Sequence, residues 1–304
     1  MLYDVLVIGS GPAGITASIY AKRANLKVAM FEKDTPGGQL SKYNEIENYT
    51  GANKVAGYEL ATMMIDHAYA LGVDVIYEEV LKVEVKGNKR LVITPEGTYE
   101  TKTVILATGN VPRRLGVENE DKYAMNGISW CAICDGPLYK DKEVIVIGGG
   151  NSAVEEAAYL ATLAKRVTVV QNLSHLTADK KAQDILLKQT NVDIYYSATV
   201  NKFLENENGL SGAEIKKEDG SLLQIYADGV FEYVGLIPVT DMVKDLGITN
   251  DYGYIIANEK METEIPGIYS AGDVNQKQIR QVVTATADGA IAAQNLLRYL
   301  EIWE

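Results

Sequence analysis

Val5-Leu6-Val7-Ile8-Gly9-Ser10-Gly11-Pro12-Ala13-Gly14 is the stretch that decides the fold. Four apolar residues run as a strand into a glycine-rich turn. An alanine-rich helical pattern follows from Ile15 to Arg23, and a second apolar strand runs from Lys27 to Phe31. In such a unit Gly9 permits the tight turn, Gly11 lets a pyrophosphate approach the backbone, and Gly14 lets helix and strand pack closely. The helix start at Pro12 and Ala13 offers unpaired amides and the positive end of the helix dipole. Glu32 ends the second strand, 18 residues after Gly14. An acid at that place takes the ribose hydroxyls of an adenosine. A glycine turn alone is weak; with these flanking elements and the acid it specifies a nucleotide site.

The pattern recurs further along. Glu143 to Ile147 reads as a strand, Gly148-Gly149-Gly150-Asn151-Ser152-Ala153 as the turn, Val154 to Leu163 as a helix and Val167 to Val170 as the next strand. Gly148 follows Gly9 by 139 residues, so the chain holds two mononucleotide-type units, one inserted into the other's domain. The second unit keeps the phosphate turn without the acid. Eighteen residues after Ala153 stands Gln171, followed by Asn172-Leu173-Ser174-His175-Leu176-Thr177. That segment has no acid for the hydroxyls of NAD and no arginine for the 2′-phosphate of NADP. Gln171 or Asn172 could still bind a ribose through neutral hydrogen bonds.

Just before the second turn lies Cys131-Ala132-Ile133-Cys134-Asp135, with the only two cysteines of the chain. One thiolate of a C-x-x-C pair attacks a disulfide and the other resolves the mixed disulfide. Asp135 is placed to donate or accept the proton of that exchange. Structural zinc would need four ligands. Only His67 and His175 could join the cysteines, and neither lies near them in sequence.

Composition narrows the class. The 304 residues, 47% hydrophobic, suffice for two domains with sizeable cores. No apolar run spans a membrane, and Met1-Leu2-Tyr3-Asp4 lacks the basic start of a signal peptide. A single redox-spaced cysteine pair points to a reducing cytosol. The net charge of −12 argues against nucleic acid or anionic membrane as the main partner.

Gly37-Gly38-Gln39-Leu40 is a glycine turn followed by an amide, suited to a flat cofactor. Glu47-Asn48-Tyr49 follows it. Ala107-Thr108-Gly109 ends a strand begun at Thr103. Ile268-Tyr269-Ser270 runs into Ala271-Gly272-Asp273, and Arg280-Gln281-Val282 opens a helix of small residues ending near Leu300. An Asp beside a helix start can hold a ribityl hydroxyl.

In this order, Gly9–Gly14, Gly37–Leu40, Ala107–Gly109, Cys131–Asp135, Gly148–Ala153 and Ala271–Asp273 resemble the low-molecular-weight thioredoxin reductases over essentially the whole chain. The resemblance implies an α/β fold of two nested, three-layer, Rossmann-like domains of the flavin disulfide reductase type. It implies FAD as cofactor, thioredoxin as partner and a homodimer. The implied FAD set is Gly9, Gly11, Pro12, Ala13, Gly14, Glu32, Gly38, Gln39, Leu40, Asn48, Val80, Ala107, Thr108, Gly109, Asp273, Arg280, Gln281 and Val282, with no metal. Cys134 would face the flavin, Cys131 would attack thioredoxin, and Asp135 would carry the proton.

The chain departs from NADPH-dependent members at one place. They carry His-Arg-Arg after the second strand of the inserted domain and another Arg soon after; here stand Gln171, Asn172, Leu173 and Thr177. In this the chain resembles the ferredoxin-dependent flavin thioredoxin reductases. A ferredoxin near about −400 mV lies roughly 130 mV below thioredoxin at about −270 mV, which is downhill by roughly 6 kcal/mol for two electrons. An acidic ferredoxin would need a local basic patch: Lys22, Arg23 and Lys27; Lys86, Lys89 and Arg90; or Arg113 with Arg114. Two other functions stay open: a disulfide reductase fed by NADPH or NADH, and a non-enzymatic redox-sensing flavoprotein.

The expected flavin domain comprises residues 1–113 and 244–304, and the expected dithiol domain 114–243. Leu81 to Val85 and Leu91 to Thr94 should pair as an antiparallel flap. Tyr196 to Val200 and Gly229 to Leu236 should belong to the dithiol domain. Short hinges near Pro112 and Pro238 should let one domain turn on the other, since a dithiol that reduces a folded protein must become exposed. Trp303, near the chain end, should either cover the flavin's open face or anchor the tail to the core or a dimer interface.

Overall fold

A computed structural model describes residues 2–42 and 46–303. The chain divides into two compact units, residues 1–111 with 237–304, and residues 112–236.

The first unit is built on a sheet whose strands Asp74–Ile76, Val28–Phe31, Leu2–Ile8, Thr98–Leu106 and Ile268–Ser270 lie side by side and parallel. Alternate side chains of a strand point to opposite faces, and both faces here are covered. Val5, Val7 and Ile105 pack against the helices Pro12–Arg23, Gly57–Ala70 and Val282–Glu301. Leu6, Ile8 and Leu106 pack on the other face against Val83, Val92, Met242, Val243 and Ile248. Lys82–Lys86 and Lys89–Ile93 form the antiparallel hairpin, which pairs with the first half of Thr98–Leu106. Helices Pro12–Arg23 and Val282–Glu301 approach so closely that a Cβ on Gly289 would strike the Ala13 carbonyl.

The second unit repeats the plan. Val192–Tyr195, Arg166–Val170, Glu143–Ile147, Gly229–Glu232 and Ile128–Ser129 form a parallel sheet. Val144, Val146, Val167 and Val169 face the helices Asn151–Ala161 and Lys180–Leu186. Ile145, Ile147 and Val170 face an antiparallel layer, Thr199–Asn206, Gly209–Lys216 and Leu222–Tyr226. These are two Rossmann-like three-layer units, the fold class expected from the paired glycine turns.

Residues 196–200 and 229–236 both lie in this unit. Ser197 takes a left-handed φ of 48°, so one strand ends at Tyr195 and the next begins at Thr199. The strand from Gly229 stops at Glu232, and Gly235 at φ 112° turns the chain before Leu236–Pro238.

Candidate functional site

In the first unit the elements converge on the C-terminal edge of the parallel sheet, the ligand edge of such folds. Gly9 has φ 103°, and a Cβ there would strike the Ala107 carbonyl. A Cβ on Gly14 would strike the Gly9 carbonyl, so both glycines are required by close approach. At Gly11 a Cβ would meet no protein atom within 4 Å. The space in front of the helix start is therefore open, as a pyrophosphate cradle needs. Glu32 stands beside this turn. Its carboxylate accepts the Ser10 hydroxyl at 2.6 Å and the Asp34 amide at 2.8 Å.

The remaining predicted residues gather on the same edge. Gly38, Gln39 and Leu40 lie in a short 3₁₀ turn, Gly38–Lys42, with Gly38 drawn up against Gly11. The Gln39 amide donates to the Asn110 carbonyl at 3.4 Å. Asn110 in turn donates through its side chain to the Asp273 carbonyl at 3.4 Å. Arg280 Nε donates to that carbonyl at 3.5 Å and its guanidinium lies over the Tyr254 ring. Asn48 donates to the Gln281 side chain at 2.9 Å, and Val282 begins the last helix. Ala107 follows the central strand, and the Thr108 hydroxyl donates to the Val239 carbonyl at 2.6 Å while Gly109 accepts from the Val239 amide. Val80 is buried among the apolar residues under the sheet.

One buried oxygen in this set, Asp273 Oδ1, has no hydrogen-bond partner, and burial raises the Asp273 pKa. A buried carboxylate oxygen left alone is costly, so it calls for a hydroxyl donor. A flavin dinucleotide supplies both a pyrophosphate and a ribityl chain, and these residues fit it. Asn110 and Asp288 were not singled out from sequence. Asp288 accepts the Gly272 amide at 3.0 Å and pairs with Lys277 at 2.6 Å, bracing the turn that carries Asp273. No local motif marks either residue; their partners are distant in sequence.

Trp303 is not at this edge. Its indole donates to the Asn88 carbonyl at 3.0 Å and lies under Lys102. The last helix starts at the cofactor edge and runs 20 residues, about 30 Å, so it delivers the tail to the opposite end of the sheet. The tail is an anchor, and the flavin-covering expectation is withdrawn. The candidate basic patches shrink as well. Arg90 is 3% exposed and donates to the Pro266 carbonyl and the Tyr299 hydroxyl, and Arg114 stacks on Trp130 at 4.2 Å.

In the second unit Cys131 and Cys134 are joined as a disulfide at the start of the short helix Ala132–Asp135. Cys131 Sγ accepts the Cys134 amide at 3.2 Å. That amide would stabilise a Cys131 thiolate after reduction. Asp135 is buried and accepts the Ser129 hydroxyl at 2.7 Å; the same hydroxyl accepts the Cys131 amide at 3.1 Å. Ser129, Glu156, Glu232 and Tyr233 were not read as site residues, yet three of them touch the dithiol segment and Glu232 touches Trp130 directly before it. The Ala132 amide reaches Glu156 Oε2 at 2.9 Å and the Tyr233 hydroxyl oxygen at 2.7 Å, and Tyr233 donates to Glu156 at 3.0 Å. The Trp130 indole donates to Glu232 at 3.1 Å. Burial, with the nearby Glu120 carboxylate, pushes the Glu232 pKa up to about 8.

The second glycine turn is occupied by its own chain. Gln171 is 3% exposed, and its amide donates to the His175 carbonyl at 3.0 Å. A Cβ on Gly149 would collide with the Gln171 carboxamide. Thr177 and Ala178 donate their amides to the Gly149 carbonyl at 2.8 and 3.1 Å. Asn151 and Asp179 exchange two hydrogen bonds in front of the helix start. The flanking cations are engaged elsewhere, Arg166 with Asp193 and Lys180 with Asp184.

Comparison with known proteins is extensive. Residues 3–289 match the pyridine nucleotide-disulphide oxidoreductase family. Thioredoxin reductase of Listeria monocytogenes is 42% identical over 301 residues, 99% of this chain and 94% of the relative. Thioredoxin reductase of Bacillus subtilis is 40% identical over 302 residues, 99% of this chain and 95% of the relative. The crystal structure of thioredoxin reductase from Streptococcus pyogenes superposes with a TM-score of 0.88 at 46% identity, covering 99% of this chain and 98% of that one.

Proposed function

The chain belongs to the pyridine nucleotide-disulphide oxidoreductase family, and on that premise we propose that it is an FAD-dependent thioredoxin-disulfide reductase fed by reduced ferredoxin. The observation that carries the reading is the Cys131–Cys134 disulfide with buried Asp135 directly after it. FAD, when bound, supplies the exchange between single electrons and electron pairs. Gly9, Gly11 and Gly14 with the helix start at Pro12 and Ala13 would hold its pyrophosphate, Glu32 its ribose and Asp273 its ribityl chain.

Two electrons delivered to the Cys131–Cys134 disulfide break the S–S bond. Each sulfur then carries a thiolate or takes up a proton, and Asp135 hands over or accepts that proton. Cys131 Sγ attacks one sulfur of the thioredoxin disulfide; that bond breaks, and the departing sulfur is protonated. Cys134 Sγ then attacks Cys131 Sγ, expels the second thioredoxin sulfur as a thiol and restores the enzyme disulfide. One thioredoxin disulfide becomes two thiols, at the expense of two electrons and two protons.

Ferredoxin is favoured as donor by Gln171. A 2′-phosphate at its position would meet neutral side chains and lose charge-assisted hydrogen bonds worth about 1.5–3 kcal/mol each. A second reading, NADPH or NADH as donor, is supported by the retained turn Gly148–Ala153. The same proposal places the protein in the cytosol as a homodimer. No helix among the described residues is long and apolar enough to cross a membrane.

Anaerobic thioredoxin reduction by the chemically reduced holoprotein tests the chemistry apart from the donor. Thioredoxin thiols should appear with the natural sequence and vanish in both Cys131→Ser and Cys134→Ser while FAD is retained. Thiol formation surviving either substitution would reject the dithiol pathway.

A further inference from the structure

The amide next to Cys131 is held by two groups that the exchange chemistry does not use. Ala132 is fully buried, and its N–H points into a closed triangle with Glu156 Oε2 and the Tyr233 hydroxyl. Glu156 comes from the helix Asn151–Ala161 and Tyr233 from the end of the strand Gly229–Glu232. The residue on the other side, Trp130, is held by Glu232, one position before Tyr233. Cys131 is therefore fixed on both sides by consecutive residues, the last of one strand and the one that follows it.

We propose that Glu156 and Tyr233 are positioning residues for the dithiol: together they hold the Ala132 amide, and the Glu156 charge restrains ionisation of the Cys131 thiol until exchange. The inference rests on the dithiol reading above, but not on which donor or disulfide the enzyme uses.

Other charges do not replace Glu156 in this role. Asp135 and Tyr139 lie on the dithiol segment itself. The Asp135 carboxylate is engaged by Ser129, and burial raises the Tyr139 pKa, keeping the phenol neutral. On the packed helix Glu155 is exposed, and Tyr159 packs its ring near Gly136. Glu232 holds a proton at neutral pH, and Arg114 stacks on the Trp130 ring whose indole donates to Glu232. Glu156 remains as the carboxylate bonded directly beside Cys131. Burial raises its pKa, while the Tyr233 hydroxyl and the Ala132 and Ile133 amides favour its charged form. A carboxylate near a thiol disfavours the thiolate.

The test is the pH profile of iodoacetamide alkylation of Cys131 in the Cys134→Ser holoprotein, where one thiol reacts. Glu156→Gln keeps the shape and the acceptor and removes the charge. It should speed alkylation near pH 7.5, well above the usual carboxylate range, about threefold to tenfold, the thiolate gain of a pKa drop of half to one unit. Glu156→Asp, which keeps the charge, should stay within about twofold of the parent, and so should exposed Glu155→Gln. An unchanged profile for Glu156→Gln, or an equal shift for Glu155→Gln, overturns the proposal. Tyr233→Phe, in the two-cysteine protein, removes one hydroxyl and no charge. It should lower kcat for thioredoxin about fivefold with KM unchanged, as loss of one hydrogen bond of about 1 kcal/mol implies; unchanged kcat overturns the positioning role. If thioredoxin is not the substrate, the alkylation profile still decides the Glu156 claim.

Discussion

Replacing Glu232 with glutamine should stabilise the dithiol unit and remove a pH dependence that the native residue imposes. Glu232 is 1% exposed, and burial first, then Glu120, raises its pKa from 4.5 to about 8. Glu120 is itself buried, but it accepts the amides of Leu115, Gly116 and Val117. Those donors are taken up by Glu120, and burial beside that carboxylate keeps the proton on Glu232. Glu232 Oε1 lacks a partner as a carboxylate oxygen. The sign follows from the raised pKa. Below 4.5 the contribution to stability is fully present; between 4.5 and about 8 only the unfolded chain ionises, and stability falls by about 1.4 kcal/mol per pH unit. The loss amounts to about 3 kcal/mol at pH 7 and roughly 5 kcal/mol above pH 8. Glutamine keeps an acceptor for the Trp130 indole and offers an N–H toward Glu120. Urea unfolding followed by Trp130 fluorescence, in a Trp303→Phe background, reads the effect at about pH 5.5, 7 and 8.5. The glutamine variant should be more stable by about 2–3 kcal/mol at pH 7, with the gap widening as pH rises. A constant gap across pH, or a variant less stable at pH 7, would refute a buried neutral Glu232.

Gly11→Val should fold, since a Cβ there meets no protein atom, yet lose FAD because it fills the pyrophosphate space; absorbance at the flavin band after gel filtration checks this. Asp135→Asn should retain FAD and slow thioredoxin reduction about a hundredfold, the usual scale of lost proton transfer, as steady-state thiol release would show. Trp303→Ala should leave the flavin spectrum unchanged and lower stability by about 1–2 kcal/mol, through loss of the Asn88 hydrogen bond and the Lys102 contact, as thermal unfolding would register.

What was legible in the sequence was periodic or local. The strand–turn–helix pattern at Gly9 and again at Gly148 carries its own signal, because glycine spacing and apolar alternation are set within about 30 residues. The dithiol was legible because its cysteines are three apart with the acid adjacent. The groups that brace it were not. Glu156 is 24 residues from Ala132, and Tyr233 is 101. Only the sheet order brings the strand ending at Glu232 beside the one ending at Ser129. Asn110 and Asp273 are likewise 163 residues apart. Arg90 reads as a surface cation until the last helix covers it with Tyr299. The break at Ser197 carried no glycine or proline, so the left-handed turn had no local mark.

The central claim is best tested by anaerobic stopped-flow reduction of the holoprotein with oxidised thioredoxin present, comparing reduced ferredoxin with micromolar NADPH and NADH. The account predicts that the flavin bleaches and thioredoxin thiols appear with reduced ferredoxin, more slowly as salt rises, while the pyridine nucleotides give neither. Fast, saturable bleaching by NADPH with thiol release would contradict the ferredoxin assignment. Bleaching by any donor without thioredoxin thiols would contradict the reductase itself.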